Sequence, residues 1–341
     1  MIVLWVAVLW LLGIAGAFAQ APAVLDVGAV PGLSASGRVE YGRFLLMNLP
    51  RAFALGSNGY SGWFGGAGTI EDARAKALAS CAGHGGTNCA IYAEDLRVVW
   101  PGRGPGLLNA VPGPLIQING HAFVPDPLFI WHGPASATGL YVWGHGKNGL
   151  ADSRGHQPQP YVRAFNNAGF DVVRFDREPM HDYPDEAAEG LRSALVTLRR
   201  MGWRKIVVGG QSRGAWTSLQ ILDTPGLADA VIAVSPAYFG DGSDQTARLY
   251  SFTRAIRSPA TRVAVVEFSG DGFVTDMDRR VGLYRDTLPS RVGAFLLIDR
   301  PAGITGHGGG NTAAFALGFA DCLLHFVMDS VPAAACPAAV R

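Results

Sequence analysis

The sequence is poor in charge. Acidic and basic residues make up 16% of its 341 positions and nearly cancel, leaving a net charge of +1. A chain that binds nucleic acid or an anionic membrane surface concentrates cationic charge on one face, and there is no surplus here to concentrate. Cysteine is scarce too, with four in all. No neighbouring pair has the two-residue gap of a zinc site, and no histidine cluster accompanies them. Beyond the N-terminus no run is long and apolar enough to span a bilayer. Nothing in the sequence calls for a metal, a nucleotide or a flavin.

What is present begins with Ile2 to Ala19, almost wholly apolar and ending in Ala17-Phe18-Ala19 before Gln20-Ala21-Pro22. Small residues at those two positions are what a signal peptidase reads, so residues 1–19 form an export signal. No Lys or Arg precedes the run and it is long for a cleaved signal, which keeps an uncleaved N-terminal anchor as the alternative. Once cleaved, no stable membrane span remains, and the mature chain is periplasmic or secreted. In an exported chain the two local cysteine pairs read as disulfides, Cys81–Cys89 and Cys322–Cys336.

Residues 20–40, rich in Ala, Pro, Gly and Ser, read as a loose leader. A small unit occupies 41–105. Arg51–Leu55 and Ser61–Phe64 are strands around the turn Ser57-Asn58-Gly59. Thr69, with Asp72 three positions on, caps a helix that runs to Ala82. Cys89–Ala93 is a further strand, tied back to the helix by the first bridge, which suits a unit too small for a generous core. Arg51-Ala52-Phe53-Ala54, Gly62-Trp63, and Ala73 through Ala77-Leu78 to Cys81 and Cys89 resemble a cysteine-containing module of exported bacterial proteins. The resemblance covers about residues 41–100 and implies a packing or adaptor role. The Pro/Gly-rich stretch Pro101–Pro114 marks the domain boundary.

From 106 to 341 strands alternate with helices, which predicts an α/β domain: a mainly parallel central sheet with helices on both faces, preceded by the small disulfide-tied α+β module. Leu140–Trp143, Val172–Phe175, Ile206–Val208, Val231–Val234, Val263–Val266 and Ala294–Ile298 read as strands. Tyr161–Ala168, Glu186–Met201 and Ala313–Met328 read as helices.

Between the strand at Ile206 and an apolar helical pattern from Ala215 lies Gly210-Gln211-Ser212-Arg213-Gly214. A strand that becomes a helix within so few residues strains the backbone at its bend, and the positions two before and two after must be nearly free of side chain. The serine hydroxyl is then lifted above the sheet edge at a helix N-terminus. Ligands gather at the carboxyl ends of strands in such a sheet. The residues just past each strand are therefore informative: Gly144-His145-Gly146-Lys147 after the first, Gly270-Asp271-Gly272-Phe273-Val274 after the Val263 strand, Gly306-His307-Gly308 after the Ala294 strand.

This order of Gly-x-Ser-x-Gly, then Asp, then His, each at a strand end, resembles the α/β-hydrolase superfamily, nearest its dienelactone-hydrolase-like and esterase branch, over about residues 115–330. The resemblance implies Ser212 as nucleophile, His307 as general base and Asp271 as the group that orients the imidazole. It implies an oxyanion hole from the backbone N–H of Arg213 and of Lys147, with Gly146 beside it. Asp276, Asp241 and Asp244 are competing positions for the acid. His145 reads as a loop-shaping residue, and His156 and His181 as solvated loop residues. Trp143, Trp216, Tyr238 and Phe273 are either core or the walls of an apolar pocket. The glycines around His307 read as the mark of a mobile, open loop. The expected activity is cleavage of an ester or related acyl bond of a small molecule. A serine peptidase or acyltransferase on the same scaffold is the alternative, as is a non-catalytic binding or adaptor protein.

Overall fold

The computed structural model describes residues 23–100, 113–147, 149, 151–178, 182–238 and 245–336. The apolar segment 1–19, most of the connection Pro101–Pro114, His181, Asp241 and Asp244 lie outside the described residues.

The small unit contains α1 (Ala35–Leu45), β1 (Arg51–Leu55), β2 (Ser61–Gly65), α2 (Ile70–Gly83), β3 (Ala90–Glu94) and β4 (Arg97–Val98). Its strands form an antiparallel sheet in the order β2-β1-β3-β4. Side chains alternate across a strand, so β1 sends Phe53 and Leu55 to one face and Ala52 and Ala54 to the other. The aromatic face packs on Tyr41 and Phe44 of α1. The alanine face packs on Ala73, Ala77 and Cys81 of α2. Thr69 caps α2 as expected, its hydroxyl accepting from Asp72 N–H at 3.2 Å.

The stretch expected to be a loose leader is part of this core. Val24, Val30 and Leu33 are buried, the Tyr41 hydroxyl donates to Val24 O at 2.9 Å, and α1 begins at Ala35 with Ser34 as its cap. Without α1 the Phe53 and Tyr92 rings would face water. Its many small and polar residues concealed a helix whose apolar face is narrow: Tyr41, Phe44 and Leu45.

The larger unit runs β5 (Ile116–Ile118), β6 (His121–Pro125), β7 (Gly139–Gly144), α3 (Val162–Asn167), β8 (Phe170–Asp176), α4 (Pro184–Arg200), β9 (Ile206–Gln211), α5 (Arg213–Gln220), β10 (Ala230–Val234), α6 (Gln245–Thr253), β11 (Ser258–Glu267), α7 (Met277–Thr287), β12 (Val292–Asp299) and α8 (Ala313–Met328). The sheet order is β5-β6-β8-β7-β9-β10-β11-β12. Only the β5–β6 and β6–β8 pairings are antiparallel; every other neighbouring pair is parallel. This is the strand order of the α/β-hydrolase fold.

Burial on both faces explains the continuous apolar runs. Along β10, Val231 and Ala233 join the core with Leu195 and Trp216. Ile232 and Val234 join the opposite core with Phe165, Phe315 and Leu323. The β5–β6 hairpin, α6 and α7 were not anticipated, because the first is short and the helices carry few apolar positions. Among the described residues no helix is long and apolar enough to cross a membrane.

Both disulfides form, Cys81–Cys89 and Cys322–Cys336. The loops they close span 8 and 14 positions, worth about 2.5 and 3 kcal/mol in the loop-entropy account. The two units meet at the turn after α1. There Met47 enters the core beside Phe129 and Tyr161, and Asn167 Nδ2 donates to Leu45 O at 3.0 Å.

Candidate active site

Ser212 sits at the bend between β9 and α5 with φ 56° and ψ −117°, a left-handed conformation costing on the order of 1–3 kcal/mol. Its backbone is held from three sides: its N–H donates to Val234 O at 3.0 Å, and its carbonyl accepts from Trp216 N–H at 2.9 Å and Ala237 N–H at 3.1 Å. The flanking glycines are required by contact. A β-carbon on Gly210 would come to 2.3 Å from Gly144 O, and one on Gly214 to 2.0 Å from the same atom. The tight neighbour is thus the end of β7 as well as the strand and helix that the turn joins.

Asp271 and His307 lie on the loops after β11 and β12. These loops are stitched together by a bridge between Ser269 and Thr305 and by Gly306 N–H donating to Ser269 O at 2.8 Å. Asp271 Oδ1 accepts from Phe273 N–H at 2.9 Å, while Oδ2 meets His307 Nδ1 at 2.8 Å. The aspartate is therefore both turn residue and partner of the histidine. Its side chain is fully buried, which keeps the contact dry and strengthens it. His307 Nε2 is buried without a partner, and no hydrogen bond joins it to Ser212 Oγ; such contacts tighten when substrate binds. Gln211 Nε2 donates to His307 O at 3.2 Å, so the residue before the serine holds the histidine loop.

Gly306 and Gly308, directly beside His307, have room around them, whereas the two glycines that follow serve packing, which the expectation of an open loop did not include. A β-carbon on Gly309 would strike the Phe268 ring at 2.8 Å, and one on Gly310 would meet Val234 Cγ1 and Gln159 Nε2, each at 2.5 Å. Asp276 caps α7, accepting from Arg279 N–H at 2.9 Å, and makes no bond to His307.

Across from the serine stands Gly144–Lys147. A β-carbon on Gly146 would lie 3.4 Å from Ser212 Cβ, so this loop runs against the serine. Arg213 is the first residue of α5, where helix amides lack partners within the helix. His145 is a scaffold here. Its Nδ1 lies 2.6 Å from Gly146 O and its Nε2 accepts from Arg177 N–H at 3.0 Å, which assigns the proton to Nδ1. Burial, then the Arg177 charge, lowers its pKa to about 4. Arg177 also bonds His145 O and reaches Asp182 Oδ1 at 2.8 Å. Arg213 donates to Asp182 O at 2.6 Å. Arg177 and Asp182 thus link the Gly146 loop to the residue after the nucleophile. The sequence marks neither one; an arginine and an aspartate in a strand-end loop look like solvated charges.

The spacing of Gly144, Gly146 and Gly149 is also that of a dinucleotide-binding turn, which needs a helix to open directly upon it. The next described helix begins at Val162.

The four aromatic residues separate. Trp216 is core, edge-on to Tyr238 at 5.4 Å, and Tyr238 is buried beside it. Phe273 lies against His307, ring centres 4.2 Å apart. Trp143 lines a cavity of about 320 Å³ beside the serine turn, along with Gly146, Lys147, Gln157 and Gln211. His156, read as a solvated loop residue, lines it too.

No family model matches the chain, and no curated protein does. Among solved structures it is similar to Est1E from Butyrivibrio proteoclasticus, at 15% identity and TM-score 0.43, over 62% of this chain and 98% of that one. It is also similar to the Pyrococcus furiosus esterase Pf2001, at 14% identity and TM-score 0.38, over 57% and 82%. A third similarity is to the acylaminoacyl peptidase of Pyrococcus horikoshii, at 11% and 0.38, over 55% and 35%.

Proposed function

We propose that the chain is an exported serine hydrolase that cleaves an ester or related acyl bond of a small substrate. One observation carries the reading. His307 has one ring nitrogen 2.8 Å from a buried carboxylate and the other buried and unpartnered, at the sheet rim where Ser212 occupies a strained turn. A histidine held in one tautomer by a buried carboxylate, with its second nitrogen unpartnered, is arranged for proton transfer.

Ser212 Oγ attacks the acyl carbonyl as His307 Nε2 takes its proton. Asp271 keeps the proton on Nδ1 and stabilises the imidazolium. The oxyanion accepts from the N–H groups of Arg213 and Lys147, with Gly146 alongside; losing one such donor costs about 3 kcal/mol of transition-state stabilisation. Collapse breaks the bond to the leaving alcohol, which takes the proton from His307. A water, deprotonated by the same nitrogen, then releases the acid and restores the serine. Export rests on the apolar segment Ile2–Ala19 and on two disulfides, which persist in oxidising compartments.

A fluorophosphonate probe tests the reading. Wild type should take one label, and Ser212→Ala none. A folded wild type that takes no label would favour a binding protein on this scaffold. Faster cleavage of peptide anilides than of acyl esters would move the assignment to a peptidase.

A further inference from the structure

The cavity beside Ser212 has a chemistry of its own. It holds about 320 Å³, near the lower end for ligand sites. Among the described residues around it only Trp143 has an apolar side chain; the rest include Lys147, Ser153, Gln157, Gln211 and Asn311. An aliphatic chain placed here would strip water from amides and a hydroxyl and return no hydrogen bonds. Among the described residues no carboxylate lines the space, so none of them balances a cationic amine. What suits it is a group whose polar atoms both donate and accept, as the amides of Gln157, Gln211 and Asn311 do.

Two further observations show that the polar lining is built. The Gln157 amide is pinned from both units: Oε1 accepts from Leu49 N–H at 3.1 Å and from Arg163 of α3 at 2.6 Å, and Nε2 donates to Leu49 O at 3.1 Å. Asn48 Nδ2 adds a bond to Pro158 O at 3.0 Å. One Nε2 hydrogen of Gln157 remains for a ligand. The indole N–H of Trp143, itself 4% exposed, is buried with no partner.

We propose that this cavity receives a hydroxylated group, such as a sugar ring, and that this group is the alcohol half of the ester; the proposal rests on the serine hydrolase reading above. Asn311 brings the cavity to the loop of His307, and the leaving oxygen must sit on the histidine's side to take its proton. The Ser212–acyl bond forms, the acyl–sugar oxygen bond breaks, and the sugar departs as the free alcohol. The N-terminal unit then acts through Leu49, as the support of the cavity wall.

The test compares two esters with the same acetyl group and a primary alkoxide leaving group, 6-O-acetyl methyl glucoside and hexyl acetate. Binding is measured first with the Ser212→Ala protein, which needs no turnover, and then kcat/KM with wild type. The sugar ester should bind at least tenfold tighter and turn over with at least tenfold higher kcat/KM. Gln157→Ala and, independently of the clamp, Asn311→Ala should each raise its KM about tenfold, with a smaller change for hexyl acetate. Equal or tighter binding of hexyl acetate overturns the proposal. Preferential sugar-ester binding without turnover by wild type would leave the cavity assignment standing and remove the hydrolase reading.

Discussion

The two walls that flank Ser212 are made in opposite ways. The turn that carries the serine is local. β9, the strained residue and α5 succeed one another within fifteen positions, and two glycines admit the end of β7 at van der Waals limits. The facing wall is assembled from afar: His145 is fixed by Arg177 and Asp182, and Gln157 by Leu49, 108 residues away in sequence. A local turn is written in residue types that have few other uses, whereas a remote wall is written in ordinary polar residues. The first therefore fails when its backbone is crowded, and the second is sensitive to any change of partner.

That contrast can be tested by breaking each side in turn. The largest effect belongs to the histidine's partner. Asp271→Asn should lower kcat about 10⁴-fold with the fold intact, as a mis-set tautomer does. Asp276→Asn should leave turnover as it is and stability close to unchanged, because the asparagine oxygen can still accept from Arg279 N–H and cap α7. The reverse ranking in steady-state kinetics would relocate the acid.

Next comes the turn itself. Gly214→Ala places a methyl group 2.0 Å from Gly144 O, and neither backbone can yield alone. A loss of about 4 kcal/mol in urea unfolding is expected, with fluorophosphonate labelling abolished. A stable, labelled variant would show that the turn is looser than its contacts imply.

The remote wall should show in pH dependence. The folded chain holds the pKa of His145 at about 4, against about 6.5 when unfolded. The unfolded chain thus binds the proton first as pH falls. This contribution is fully present above pH 6.5, is lost between about pH 6.5 and 4, and falls no further below that, up to about 3 kcal/mol. Urea midpoints measured across that range should slope less steeply in His145→Asn. Parallel slopes would acquit the residue.

The smallest effect tests the link between the walls. Arg177→Lys keeps the charge but not the planar fork that meets His145 O and Asp182 together. A roughly tenfold fall in kcat/KM is expected as the Gly146 loop loosens. An unchanged value would show that the loop holds its position without the fork.

The same contrast governs how much the sequence disclosed. The strands β7 to β12 and the order of Ser212, Asp271 and His307 along them were legible, because doubly buried strands leave apolar runs and strand-end loops leave glycine. Both cysteine pairings could be read from their spacing. α1 was hidden, since its core face emerges only once Phe53 and Tyr92 need a cover. The packing of Gly309 and Gly310 was hidden for a like reason: only the folded chain brings Phe268 and Val234 against them. Arg177, Asp182 and Gln157 carried no signal, as each acquires its role from a partner that the linear order does not indicate.

The central claim is that Ser212 and His307 act together on one acyl group, the serine on its carbon and the histidine on its leaving oxygen, and a crystal structure of the fluorophosphonate-inhibited protein tests it most directly. The account predicts phosphorus bonded to Ser212 Oγ, the phosphoryl oxygen within hydrogen-bond reach of the Arg213 and Lys147 N–H groups, and His307 Nε2 turned to the ester oxygen. An adduct on another residue, or one on Ser212 with His307 still bonded to Asp271 but facing away from the phosphorus, would contradict it.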